Sequence, residues 1–116
     1  MSSFKSSIKH HAAVMMASLN GKDFIFEQIS SIFKQKNFIV HLYISDDGSV
    51  DNTLEEINSY KRQNPENKIV ILDGPREGYS KNFFFILKRV DLNYDIYAFA
   101  DQDDIWLPQK LERAFK

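Results

Sequence analysis

The chain contains no cysteine. That excludes a disulfide framework and a thiolate zinc site, and with them the small disulfide-stapled secreted folds. A cytoplasmic location fits this absence. No apolar run approaches the roughly 20 residues that a helix needs to cross a bilayer. Neither sign of charge dominates: 15 basic residues stand against 16 acidic ones, for a net charge of -1. Nothing electrostatic therefore points to nucleic acid as a partner. Repeats, linkers and low-complexity segments are missing too. The three histidines, His10, His11 and His41, have no metal-ligand spacing with one another or with acids. The first two belong to a polar stretch, residues 1–11, which lacks the apolar core of a signal peptide and reads as a flexible lead-in.

What is present suits one domain. The chain has 116 residues, 43% of them hydrophobic and 27% charged, enough to bury a real core. Ala12 to Ser18 is a short apolar run closed by Asn20-Gly21, a buried strand and turn. Asp23 can cap a helix carrying Ile25, Ile29, Ile32 and Phe33 at helical spacing. Phe38 to Ser45 is a second strand, rich in β-branched and aromatic residues. A helix starting near Ser49 carries Leu54, Ile57 and Tyr60. Ile69 to Leu72 is a third strand. A helix over Ser80 to Lys88 contains Phe83-Phe84-Phe85, read as core packing with one ring turned toward a partner. Ile96 to Ala100 is a fourth strand. Pro108 suits the first turn of a last helix, and Trp106 reads as a bulky anchor. Strands alternate with helices, and the strands are continuous apolar runs. The expected fold is α/β, with a mostly parallel sheet covered by helices on both faces.

Ligands in such folds bind beyond the carboxyl ends of the strands. Three segments fall there: Ser18 to Gly21, the Asp46/Asp47 pair and the Asp101/Asp103 pair. Asp46-Asp47-Gly48-Ser49 can be a turn plus helix cap, but two adjacent acids at the sheet's mouth also suit hydrogen bonds from a ligand N–H. Asp101-Gln102-Asp103-Asp104 follows the fourth strand abruptly. Asp101 and Asp103 share a side in extended chain, and crowded carboxylates repel unless a cation sits between them. A hard divalent cation takes such oxygen ligands. Gly78-Tyr79-Ser80-Lys81-Asn82 opens a helix whose amides and Lys81 could attract phosphate. A solvent-exposed lysine explains the same residues.

Taken in order, Ala17 to Gly21, Ile44 to Thr53, Gly78 to Asn82 and Phe99 to Pro108 resemble the family 2 glycosyltransferases of the GT-A fold. The likeness runs to the bacterial rhamnosyltransferase-like group that builds surface polysaccharides. It covers the chain from Ala12 onward and implies a Rossmann-like nucleotide-binding half, residues 12–116. By this resemblance, Asp101-Gln102-Asp103 is the DxD motif. Asp103 would touch a Mg²⁺ or Mn²⁺ ion with Asp101 beside it, and Asp101 and Gln102 would lie by the ribose or metal-bound water. Asp47 would bind the base, Ala17 and Ser18 would border base and ribose through their backbone, and Lys81 would stand near the nucleotide. The donor would be a nucleotide-diphosphate sugar. The acceptor would be a saccharide or lipid-linked saccharide, with inversion at the anomeric carbon. The full-length enzyme would work in the cytoplasm or peripherally at the inner membrane face.

The family's general base lies C-terminal to the DxD motif, on the acceptor side. No residue up to Lys116 matches it. The expectation is an incomplete GT-A domain that binds donor and cation weakly, transfers no sugar alone, and can self-associate through its unfinished sheet. A non-catalytic nucleotide- or metal-binding module would use the same residues. Receiver domains and haloacid-dehalogenase-type phosphatases place their acids after the first strand, which here ends in Ser18-Leu19-Asn20.

Overall fold

The computed structural model describes residues 9–101 and 104–115. Four strands, β1 (His10–Ser18), β2 (Phe38–Asp46), β3 (Lys68–Asp73) and β4 (Ile96–Ala100), alternate with helices α1 (Ile25–Phe33), α2 (Thr53–Gln63), α3 (Tyr79–Leu87) and α4 (Lys110–Phe115). The strands form one sheet in the order β3-β2-β1-β4, and each pairing is parallel.

The central strand explains the layering. Residues from Ala12 to Met16 are essentially inaccessible. Successive side chains of a strand point to opposite faces, so a run that is apolar throughout needs cover on both. Ala12, Val14 and Met16 pack with Ile25, Ile29 and Ile32 of α1, Ile57 and Tyr60 of α2, and Trp106 and Leu111. Ala13 and Met15 pack on the other face with Tyr43, Ile86 and Val90. Each such buried Ile, Leu or Met contributes about 1.5–3 kcal/mol relative to exposure.

Several element starts differ from the sequence reading, each for a local reason. β1 begins at His10 because the ladder with β2 continues to the pair His10 and Phe38. Asp23 does not cap α1. The carbonyl of Gly21 accepts the amides of both Phe24 and Ile25, so a turn delivers the chain instead. α2 starts at Thr53 rather than near Ser49, because Ser49 is drawn back to Asp46 by its amide at 2.9 Å and its hydroxyl at 2.6 Å. The Phe83-Phe84-Phe85 run divides. Phe83 packs against the second core cluster, Phe84 is 61% exposed, and Phe85 lies under the guanidinium of Arg89 at 3.4 Å.

At the amino end of the sheet the hydroxyl of Tyr94 lies 2.8 Å from Nδ1 of His41 and 2.8 Å from the hydroxyl of Tyr43. Burial, with Lys68 and His11 nearby, lowers the His41 pKa. These groups cover the sheet beyond the reach of α3 and lie at the end opposite the acid clusters.

Candidate functional site

β1, β2 and β4 end side by side, with Ser18 opposite Asp46 and Met16 opposite Ala100. The two acids that close β2 have different surroundings. Asp46 is 3% exposed. Its Oδ1 accepts the hydroxyls of Ser18 at 2.8 Å and Ser49 at 2.6 Å, and its Oδ2 accepts the Ser49 amide at 2.9 Å. Asp46 therefore ties the ends of β1 and β2 to the loop after them. Asp47 is half-buried, and its Oδ1 accepts the Arg76 amide at 2.6 Å. Its own amide donates to the Ser18 carbonyl at 2.9 Å, which holds it against the end of β1.

The start of α3 is fixed by a reciprocal pair. The Ser45 hydroxyl donates to Oδ1 of Asn82 at 2.5 Å, and Nδ2 of Asn82 donates to the Ser45 carbonyl at 2.9 Å. Gly74 makes this approach possible. A Cβ there would lie 2.7 Å from Oδ1 of Asn82 and 2.9 Å from Oδ1 of Asp47. Gly48, at φ +92°, lies under the Arg76 side chain, where a Cβ would meet Nε at 2.6 Å. Replacing Gly74 would press on Asn82 and Asp47, whereas replacing Gly48 would strain its left-handed backbone and displace the Arg76 side chain.

Together these contacts shape a pocket of about 170 Å³ lined by Ala17, Ser18, Leu19, Asp47, Gly78, Tyr79 and Asn82. Asp101, exposed at the end of β4, is joined to its wall by Tyr79, whose hydroxyl donates to Oδ1 of Asp101 at 2.6 Å. Burial, aided by that bond, pushes the Tyr79 hydroxyl up to about 12, so it stays a donor at neutral pH. The Asp101 carbonyl is held separately: it accepts Nε2 of Gln28, from buried α1, and the Asp104 amide at 3.2 Å.

The structure thus brings Ala17, Ser18, Asp47 and Asp101 to one site. It does not bring Lys81 there. The Lys81 ammonium lies 3.1 Å from Oε1 of Glu77 and lines a separate depression with Pro75, Phe84, Phe85, Lys88 and Arg89. To reach a bound phosphate it would have to leave Glu77. Gln102 and Asp103 lie outside the described residues. Sequence reasoning gave no role to Tyr79, Asn82, Gly74 or Gln28. A visible signal existed for one of them: Asn82 is a polar residue one turn before Ile86 on the buried face of α3.

The donor chemistry at the β4 exit suits a hard cation. Asp101 and Asp104 supply only oxygen, the ligand of Mg²⁺ and Mn²⁺ rather than of soft metals. Among the described residues no three acidic or histidine side chains converge on one point. Such a cation is commonly bound by one or two carboxylates plus substrate phosphates, so an open half-site fits it.

Solved structures share this architecture. A mannosyltransferase of Pyrobaculum calidifontis, PcManGT, in complex with GDP-Man and Mn²⁺, superposes with a TM-score of 0.82 at 18% identity, over 91% of this chain and 31% of that one. Staphylococcus aureus TarS (residues 1–349) gives 0.71 at 27% identity, over 90% of this chain and 31% of that one. The fold is that of the GT-A glycosyltransferases. Residues 13–116 match the profile described as glycosyl transferase family 2, and the chain belongs to that family. It is 43% identical over 102 residues to the dTDP-rhamnosyl transferase RfbG of Shigella flexneri, across 85% of this chain and 35% of that protein. The chain spans about a third of the length of the curated relatives it matches.

Proposed function

We propose that this chain is the donor-binding part of a metal-dependent, inverting glycosyltransferase that serves bacterial surface polysaccharide synthesis. The pocket between Ala17, Ser18, Asp47 and Tyr79, with Asp101 tethered to its wall, carries the reading. Membership of family 2 and the identity to RfbG support it. The name of that relative makes dTDP-rhamnose the first donor to test.

Each residue then has a task. Asp47 accepts an N–H of the base, held in place by the Arg76 amide. The backbone of Ala17 and Ser18 borders base and ribose, kept rigid by the bonds of Asp46. By the family resemblance, Asp103 would hold the cation with Asp101 beside it, and Asp101 and Gln102 would lie by the ribose or metal-bound water. A bound Mg²⁺ or Mn²⁺ would act as a Lewis acid on the departing nucleoside diphosphate. The acceptor is a saccharide or lipid-linked saccharide whose hydroxyl loses its proton to a general base, a role to which no residue of this chain is assigned.

Thermal unfolding with dTDP, UDP, GDP and CDP, each with and without Mn²⁺, tests the reading. A nucleotide at about 100 times its Kd adds roughly 2.7 kcal/mol of stability. The expected result is a cation-dependent rise in melting temperature with one nucleotide, dTDP first. If none of the eight conditions shifts the melting of folded protein, the donor-site reading fails.

A further inference from the structure

Tyr79 is the only described side chain that hydrogen-bonds the Asp101 carboxylate. It lines both the pocket beside Asp47 and an adjoining apolar groove with Phe83, Phe84, Leu87 and Phe99. Its ring is not loose. Phe83 packs edge-on against it at 4.5 Å between centroids, and Phe99 packs edge-on against Phe83 at 4.8 Å. Phe99 lies on β4, two positions before Asp101. Three rings thus connect the first turn of α3 to the end of β4, and the last polar atom of the series points at the carboxylate.

We propose that Tyr79 is a positioning residue for Asp101: its hydroxyl holds Oδ1, so that Oδ2 is presented to the cation that the donor's diphosphate binds. The inference rests on the donor-site reading above. A carboxylate on an exposed strand end has several rotamers of similar energy, and a fixed partner on one oxygen selects among them. Hydrogen bonds of this kind behind a metal ligand are commonly worth 10–100-fold in metal affinity. The neighbouring element confirms that the backbone side is held already: the Asp101 carbonyl is bonded by Gln28 and Asp104. What remains to be fixed is the side chain, and Tyr79 alone among the described residues does that.

The experiment is a Mn²⁺ titration, read by electron paramagnetic resonance of the free ion, with dTDP present, on wild type and Tyr79→Phe. Cation-free dTDP binding and the melting temperature are measured on both. Tyr79→Phe keeps the three-ring stack and removes one hydroxyl from a half-exposed ring. The expected result is Mn²⁺ affinity about tenfold weaker, with any change in cation-free dTDP binding smaller than that. A second variant, Phe83→Leu, keeps the hydroxyl but loosens its brace and should give a smaller loss of the same kind. Equal Mn²⁺ affinity in wild type and Tyr79→Phe overturns the inference and leaves the donor site standing. An equal loss with and without Mn²⁺ also overturns it, because Tyr79 would then only shape the pocket. If wild type shows no cation-dependent binding with any of the four nucleotides, the donor-site reading itself falls, and the inference with it.

Discussion

Asp46 and Asp47 show how far two adjacent, chemically identical residues diverge. The first accepts three hydrogen bonds from Ser18 and Ser49 in a buried setting; the second lines the pocket and gives one oxygen to the Arg76 amide. Removing a buried acceptor leaves its donors unsatisfied, so Asp46→Ala should cost about 2–3 kcal/mol of stability. Asp47→Ala should cost less than about 1 kcal/mol and weaken nucleotide binding about tenfold or more, a change of 1.4 kcal/mol or above. Urea unfolding and nucleotide titration of both variants read this out. The reverse pattern would assign the base-binding role to the wrong acid. The residues alone marked the pair without dividing it, and only the family resemblance singled out Asp47. Which acid is buried depends on the reach of Ser18, which lies on a different strand.

At the scale of elements, α1 does more than cover the sheet. Its buried face carries Gln28 and Ser31 among isoleucines, and the buried Gln35 follows two residues past its end. These polar groups receive the chain after β4. The Ser31 hydroxyl accepts the Trp106 amide at 3.0 Å, and Gln35 donates to the Leu107 carbonyl at 2.8 Å and accepts the Leu111 amide at 2.9 Å. Gln35→Leu should therefore destabilise by about 1–3 kcal/mol despite adding apolar surface, measured by urea unfolding. An unchanged midpoint would mean that water replaces both bonds at no cost. Helical spacing made α1 readable from Ile25, Ile29 and Ile32, and apolar runs made β1 and β2 readable. β4 was read to the residue. The polar stripe was not, because its partners sit far away in sequence and have no pattern of their own. The missed cap at Asp23 has a similar origin: the Gly21 carbonyl competes for the first amides, and no composition rule announces it.

The whole molecule is covered unevenly. Among the described residues, three helices sit on one face of the sheet, while α3 is the only helix on the other. Phe84, Leu87 and Phe99 are 61%, 41% and 49% exposed there, next to the outer edge of β4. β4 carries no charged residue of the kind that blunts sheet edges. We expect the 116-residue chain to self-associate through this face. Its apparent mass in sedimentation equilibrium should rise with concentration, and Phe84→Glu should suppress the rise. A mass that stays monomeric at every concentration would count against it.

The strand order also bears on how the molecule comes into being. β1 is made first and ends up in the middle, with Ala12 opposite Ile96. On a ribosome, β2 can join β1 early, but the other flank of β1 waits for almost the last strand. Long-range pairing of this kind slows folding, and it leaves the most apolar segment of the chain half-paired until β4 has been made. The pocket shares that delay. Its lining comes from Ala17 to Leu19, Asp47 and Gly78 to Asn82, with Asp101 tethered beside it, so a nascent chain has no complete donor site until β4 has docked, and a nucleotide that needs Asp101 reports the completion of these four strands.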